Sequence, residues 1–181
     1  MIILPPLCGL IMAQDFEVLF SGKFSSILPT GNAELWVEHA NGKKIEHFYC
    51  QVSKTKVTTS LAIRKLGQYR IFITSPGMLV RSFLIRFEPG KELQIKNIPV
   101  VMGDVTNDNV IDRKDLELVK KYLGTARGSR RWDIGDQEDQ YVGGQFDLNG
   151  DGIVDAKDVQ IVKDHMGQRG SLKWKSDTKN R

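Results

Sequence analysis

Oxygen-bearing side chains recur at places 1, 3, 5, 9 and 12 of the segment Asp147-Leu-Asn-Gly-Asp-Gly-Ile-Val-Asp-Ala-Lys-Asp158. A hard cation the size of calcium takes roughly 6 to 8 oxygen ligands, and alternate residues of a tightly coiled loop can all aim at one point. Asp147, Asn149 and Asp151 supply the first three ligands. Gly152 takes the sixth place, where the chain turns through a positive φ that a side chain resists. Ile153 offers its backbone carbonyl, and Val154 points the other way, toward a core. Asp155 ligates directly or through water, and Asp158 closes the shell from the first turn of a helix. The chemistry implied is ion holding.

A second copy makes chance an unsatisfactory explanation of the first. Its start, Asp104, lies 43 residues before Asp147, and the copy reads Asp104-Val-Thr-Asn-Asp-Asn-Val-Ile-Asp-Arg-Lys-Asp115. Here the ligands are Asp104, Thr106, Asp108, the carbonyl of Val110, Asp112 and Asp115, so two ions are expected. The correspondence continues past the loops through Leu116/Val159, Val119/Val162 and Leu123/Met166 to Gly124/Gly167. Helical spacing of these apolar residues predicts that each loop leads into a helix, packed through them and ended by a glycine in the left-handed region. In the first copy Thr106 is a neutral, weaker ligand and Asn109 replaces glycine at the sixth place. Asn tolerates positive φ better than other side chains, so weaker binding is expected at the first loop rather than none.

The spacing is that of an EF-hand loop, with Asp at place 12 where Glu is usual; the shorter side chain grips an ion bidentately only if the helix starts closer to it. Two loop-helix units in tandem resemble the dockerin family, whose members carry two calcium loops and lack the entering helix of an EF-hand. The resemblance covers about Gly103 to Gly167 and rests on Gly-Asp-Val-Thr-Asn-Asp-Asn-Val-Ile-Asp and Phe-Asp-Leu-Asn-Gly-Asp-Gly-Ile-Val-Asp. It implies a protein-binding module that docks on a cohesin receptor, often to attach a secreted protein to a polysaccharide-degrading complex. By loop-relative position the partner-facing residues would be Arg113, Lys114, Lys120 and Lys121 in the first unit and Ala156, Lys157, Lys163 and Asp164 in the second. The opposite charges of Lys121 and Asp164 predict unequal use of the two surfaces.

The remaining sequence must position this module. A chain of 181 residues with 40% hydrophobic content can hold two small domains. Residues 1–102 carry 12 Lys+Arg against 7 Asp+Glu, while 103–181 carry 14 against 15, with 8 of the acids in the two loops. Converging carboxylates repel one another without a cation, so 103–167 is expected to depend on calcium for folding, and the first half is not. The basic residues occur only as pairs such as Lys43-Lys44, Lys120-Lys121 and Arg130-Arg131, without the stripe that nucleic-acid binding needs.

From 15 to 101 short strands alternate with the breakers Pro29-Thr-Gly-Asn32, Asn41-Gly42, Ser75-Pro-Gly77 and Pro89-Gly90. Strands are expected over 16–24, 33–38, 47–52, 57–61, 68–74, 79–87 and 93–98, making an all-β antiparallel sandwich ahead of a small α-helical calcium-loop module. The run Gly67-Gln-Tyr-Arg-Ile-Phe-Ile-Thr-Ser-Pro-Gly-Met-Leu-Val-Arg81 resembles a transthyretin-like sandwich of the carboxypeptidase regulatory type, which implies a structural or adhesive role.

No nucleophile or paired carboxylates complete a mechanism here, and an enzyme is not expected. His39 and His47, beside Glu38 and Glu46, read as polar residues on strand faces. Trp36, Phe72, Phe83 and Phe87 are the candidates for a carbohydrate-binding face, although such rings are more often core. Cys8 and Cys50 give no disulfide framework.

Residues 1–14 are apolar and too short to span a bilayer, and read as a truncated signal segment ahead of a secreted protein. Residues 125–145 form a crossover in which Asp133, Asp136, Glu138 and Asp139 match no ion loop, and Trp132 is expected to pack on a helix. Residues 168–181 read as a disordered basic tail.

Overall fold

The computed structural model describes residues 16–39, 44–63, 67–88, 90–135 and 141–171. The leader segment, the Asn41-Gly42 turn, Pro89, the acids Asp136, Glu138 and Asp139 and the chain beyond Ser171 lie outside the described residues.

Runs of alternating apolar residues become β1 (Phe16–Phe24), β2 (Asn32–His39), β3 (Lys44–Ser53), β4 (Lys56–Ile63), β5 (Gly67–Thr74), β7 (Arg81–Phe87) and β8 (Leu93–Ile98). These seven join in the order β7-β5-β2-β3-β4-β1-β8. Strands β3 and β4 pair only at Val52↔Val57 and Ser53↔Lys56, around Lys54 with φ 58°, so one hairpin end carries the ladder from one wing to the other. Period-2 alternation places Leu35, Val37, Ile71 and Ile73 of the first wing and Val18, Phe20, Leu61 and Ile63 of the second in one core. The expected all-antiparallel arrangement is corrected at one edge, where β8 lies parallel to β1 because the chain crosses over from β7 at the far end.

The expected strand over 79–87 is also shorter. A two-residue β6 (Gly77–Met78) pairs instead with β9 (Met102–Asp104), a strand that alternation in so short a segment could not reveal. Leu79 and Val80 then leave the sheet: Leu79 donates its N–H to Val101 at 2.9 Å, and Val80 accepts one from Ser171 at 2.9 Å.

The second half contains α1 (Arg113–Lys121), the short α2 (Arg130–Asp133), a 3-10 turn (Gly143–Phe146) and α3 (Ala156–Asp164). Val119, Tyr122, Val159 and Val162 are buried, with Tyr122 stacked on Phe146 at 4.4 Å. Leu116 and Leu118 pack at the margin of the same core. Leu123 and Met166, expected inside, are 44% and 41% exposed. Both helices have ended before these residues, and the chain is already turning toward Gly124 (φ 80°) and Gly167 (φ 82°), so helical spacing no longer governs them. Trp132 lies against Gly144 of the 3-10 turn. A single cluster of buried residues runs from the strands through Met78, Leu79 and Met102 into Val105, Ile111, Leu148 and Val162.

Candidate metal centre

Each ion-loop sequence ends by starting a helix. Asp112 and Asp155 are the N-caps, accepting N–H groups from Lys114 and Lys157 at 2.7 Å each. Asp115 and Asp158, at the third helical position, reach back to the N-cap amides at 2.7 and 2.8 Å. Places 9 and 12 of each loop therefore form a capping box, which satisfies amides that a helix start leaves without partners. Asp in place of Glu still spans this distance.

The rest of each loop is coiled by its own acids. Asp147 accepts N–H groups from Gly150, Asp151 and Gly152 at 2.9, 3.1 and 2.9 Å, while Asp158 accepts from Leu148 and Asn149 at 2.8 and 3.2 Å. In the first loop Asp104 accepts from Asp108 and Asn109 at 3.1 and 2.9 Å, and Asp115 accepts from the amide and hydroxyl of Thr106, both at 3.0 Å. Positive φ falls at places 4 and 6 in both copies: Asn107 (57°) and Asn109 (66°), Gly150 (78°) and Gly152 (94°). The two asparagines thus adopt the backbone that the second loop assigns to glycine.

These acids sit in an electrostatic position that calls for a cation. Asp104, Asp115, Asp147 and Asp158 are no more than 5% exposed. Burial first, and then the neighbouring Asp115 charge, pushes the Asp104 carboxyl up to about 7. Burial, and more weakly Asp147, also raises Asp158. Lys157 reaches the exposed Asp151 and the half-buried Asp155, at 2.8 and 3.7 Å, and holds Asp151 below the usual carboxylate range. Among the described residues no three His, Cys, Asp or Glu side chains converge on a point able to hold a metal, since their oxygens are turned onto loop amides. The donor set nevertheless fits calcium: it is all oxygen, with buried carboxylates at places 1 and 12 and carbonyls at Val110 and Ile153 between them.

The two loops are joined reciprocally. Ile111 of the first loop accepts from Gly167 at 2.8 Å and donates to Gln168 at 3.0 Å, whereas Val154 of the second accepts from Gly124 at 2.9 Å and donates to Thr125 at 2.8 Å. Each loop is thereby stitched to the segment that follows the other unit's helix. The crossover after α1 contributes to this pairing through the Ala126↔Ile153 bridge, which sequence spacing alone could not reveal.

All eight predicted partner-facing residues, Arg113, Lys114, Lys120, Lys121, Ala156, Lys157, Lys163 and Asp164, are exposed. The aromatic residues considered for sugar binding do not form a common platform, because Phe72 and Phe87 are 3% and 2% exposed and Trp36 stacks on His47 at 3.5 Å. His47 also bonds Glu34 at 3.0 Å, and His165 bonds the Met102 carbonyl at 2.7 Å.

Residues 102–167 match the dockerin type I domain family, and this segment is a dockerin module following a mostly β-sheet half. No curated protein sequence matches the chain. Its fold is similar to two crystal structures of a type II cohesin-X-dockerin complex from Acetivibrio cellulolyticus, an N-terminal and a C-terminal interface mutant. Each comparison has a TM-score of 0.57 and 21% identity, and covers 84% of this chain and 97% of the other. That likeness extends across both halves.

Proposed function

We propose that this protein is a non-catalytic, exported adaptor whose dockerin module, residues 103–167, docks on a cohesin-type partner in a polysaccharide-degrading or cell-surface assembly. The carrying observation is the tandem itself: two loop-helix units, each closed on the other, present related exposed surfaces from α1 and α3. The family match over 102–167 supports the docking role. Two calcium ions order the loops, one held by Asp104, Thr106, Asp108, Val110, Asp112 and Asp115, the other by Asp147, Asn149, Asp151, Ile153, Asp155 and Asp158. In this reading the strands of 15–101 are a transthyretin-like sandwich that carries the module. No helix among the described residues is long and apolar enough to cross a membrane.

The test is binding of the full chain to immobilised type I and type II cohesins, in millimolar calcium and in chelator. Calcium-dependent binding to either class supports docking. Failure with both classes, in a protein that still gains stability from calcium, points to a structural stalk instead.

A further inference from the structure

Asn109 stands at the sixth place of the first loop, where glycine suits the backbone, and keeps a side chain at φ 66°. That side chain turns away from the loop's own acids. Its Oδ1 accepts the N–H of Val80 at 3.0 Å, and its Nδ2 donates to the carbonyl of Ser171 at 3.2 Å. Its backbone remains part of the loop, with the N–H donated to Asp104 at 2.9 Å and the carbonyl accepting from Gly170 at 3.0 Å. Ser171 donates to Val80 at 2.9 Å and closes the triangle. One residue thus joins the first ion ligand, the segment between β6 and β7, and the chain beyond α3.

Two further features point to the same junction. Asp104, at place 1 of the loop, lies in β9 and pairs with Gly77 of β6, so both ends of the loop's first turn are fixed to residues 77–80. Gly170 has no side chain where one is excluded: a Cβ there would fall on the amide group of Asn109. The second loop repeats the backbone bonds, Gly152 donating to Asp147 at 2.9 Å and accepting from Arg127 at 2.9 Å, but has no side chain to repeat the others. Gly152 occupies the sixth place there, and Arg127 of the crossover lies over it.

We infer that Asn109 is a linkage residue that transmits occupancy of the first calcium loop to the β-sheet half, so that ion binding and the integrity of that half are thermodynamically coupled. This rests on the calcium reading proposed above. Ligation by Asp104 and Val110 fixes the backbone on either side of Asn109, and a fixed Asn109 holds Val80 and Ser171. The coupling is reciprocal, as any linkage between two equilibria must be. It also reverses the expectation from the loop pattern alone, in which Asn109→Gly would relieve the backbone and at worst be neutral.

Cys50 is a reporter for the β half, since it is 5% exposed within β3. In a Cys8→Ser background it is the one thiol left of the 2 cysteines. Labelling of Cys50 by a thiol reagent in urea below the unfolding midpoint is measured with calcium and with chelator, beside calorimetric titration of calcium. Calcium is expected to slow labelling of the parent about tenfold, inside the usual range for coupled sites. In Asn109→Gly the ratio should fall to about twofold or less while calcium still binds. Gly170→Ala, which displaces the Asn109 side chain and leaves every ligand in place, should do the same. In the Asn109→Gly background it should add little, because the two changes act on one contact. Calcium binding with Cys50 labelling unaffected in the parent, or slowed as much in both variants as in the parent, overturns the linkage alone. Absence of calcium binding in the parent removes the ion reading, and the linkage falls with it.

Discussion

Gly124 donates its N–H to the carbonyl of Val154 at 2.9 Å, so the end of the first helix closes on the second ion loop. The same bond recurs between Gly167 and Ile111 at 2.8 Å. Each loop therefore takes part of its shape from the other unit. Asp147→Ala, which removes a carboxylate that coils three amides, should lower calcium affinity of the second loop at least about tenfold, roughly 1.4 kcal/mol, and weaken the first as well. Thr106→Ala should do less, since it removes a neutral ligand. Calorimetric titration resolves the comparison; independent sites in Asp147→Ala would contradict the role given to the stitching.

Calcium removal should destabilise the module. Asp104 and Asp115, and likewise Asp147 and Asp158, are buried acids of like charge, and a cation that binds only the folded loop stabilises it by mass action. At calcium a hundredfold above the dissociation constant this amounts to about 2.7 kcal/mol per site. The thermal midpoint should rise with calcium concentration and fall with chelator. A midpoint indifferent to both would end the ion assignment.

Tyr122 joins the first helix to the crossover, its ring stacked on Phe146 and its hydroxyl donating to the Tyr141 carbonyl at 3.1 Å. Truncation to Ala opens a cavity against Phe146 and should cost roughly 3 to 5 kcal/mol. Tyr122→Phe removes only the hydrogen bond and should cost about 1 kcal/mol. Urea unfolding in saturating calcium measures both, and equal losses would mean that the hydroxyl, not the ring, carries the contact.

Both loop-helix units were legible in the sequence because oxygen side chains at fixed places in a loop are a local property, repeated here with one offset. Most strands were legible for the same reason, as in Tyr69 to Thr74, where alternation shows the buried face directly. Leu123 and Met166 continue the helical spacing in sequence but lie past Tyr122 and His165, which cap the helices, so the spacing does not place them. Tyr122 takes the inward place in the first unit instead. The β6–β9 pairing and the contacts of Asn109 join residues far apart in sequence, and no local pattern encodes them. Asn109 reads in sequence as a flaw in the loop pattern; its bond to Val80 supplies the reason for a side chain there.

Burial pushes the Cys50 thiol above its ordinary 9.0, while a hydrogen bond with the Thr59 side chain pulls it partly back. Folding therefore disfavours the thiolate. The contribution to stability is complete below the unfolded thiol's pKa and is lost as pH rises through the folded value. Stability of the native protein should fall more steeply above pH 9 than that of Cys50→Ala, once the constant cost of the truncation is subtracted. Parallel pH profiles for the two proteins would show that the buried thiol does not titrate with unfolding.

The partner face follows from what the two helices do not share. Lys120 and Lys163 are equivalent and exposed, but Lys121 is matched by Asp164 and Arg113 by Ala156, so the first unit offers the more basic surface. Arg131 extends it, donating to the Lys121 carbonyl at 2.7 Å with its guanidinium 4.6 Å from the Tyr122 ring centre. A partner that reads charge should prefer the first unit. Lys120→Glu with Lys121→Glu should weaken cohesin binding about tenfold or more, mainly through slower association, and the loss should shrink as salt is raised. Lys163→Glu should have a smaller effect. Since all three residues are exposed and none is an ion ligand, calcium-dependent stability should stay at the parent value in each variant, which separates a binding defect from a folding one. Unchanged affinity in the double variant, or an equal loss in Lys163→Glu, would remove the first unit from the interface.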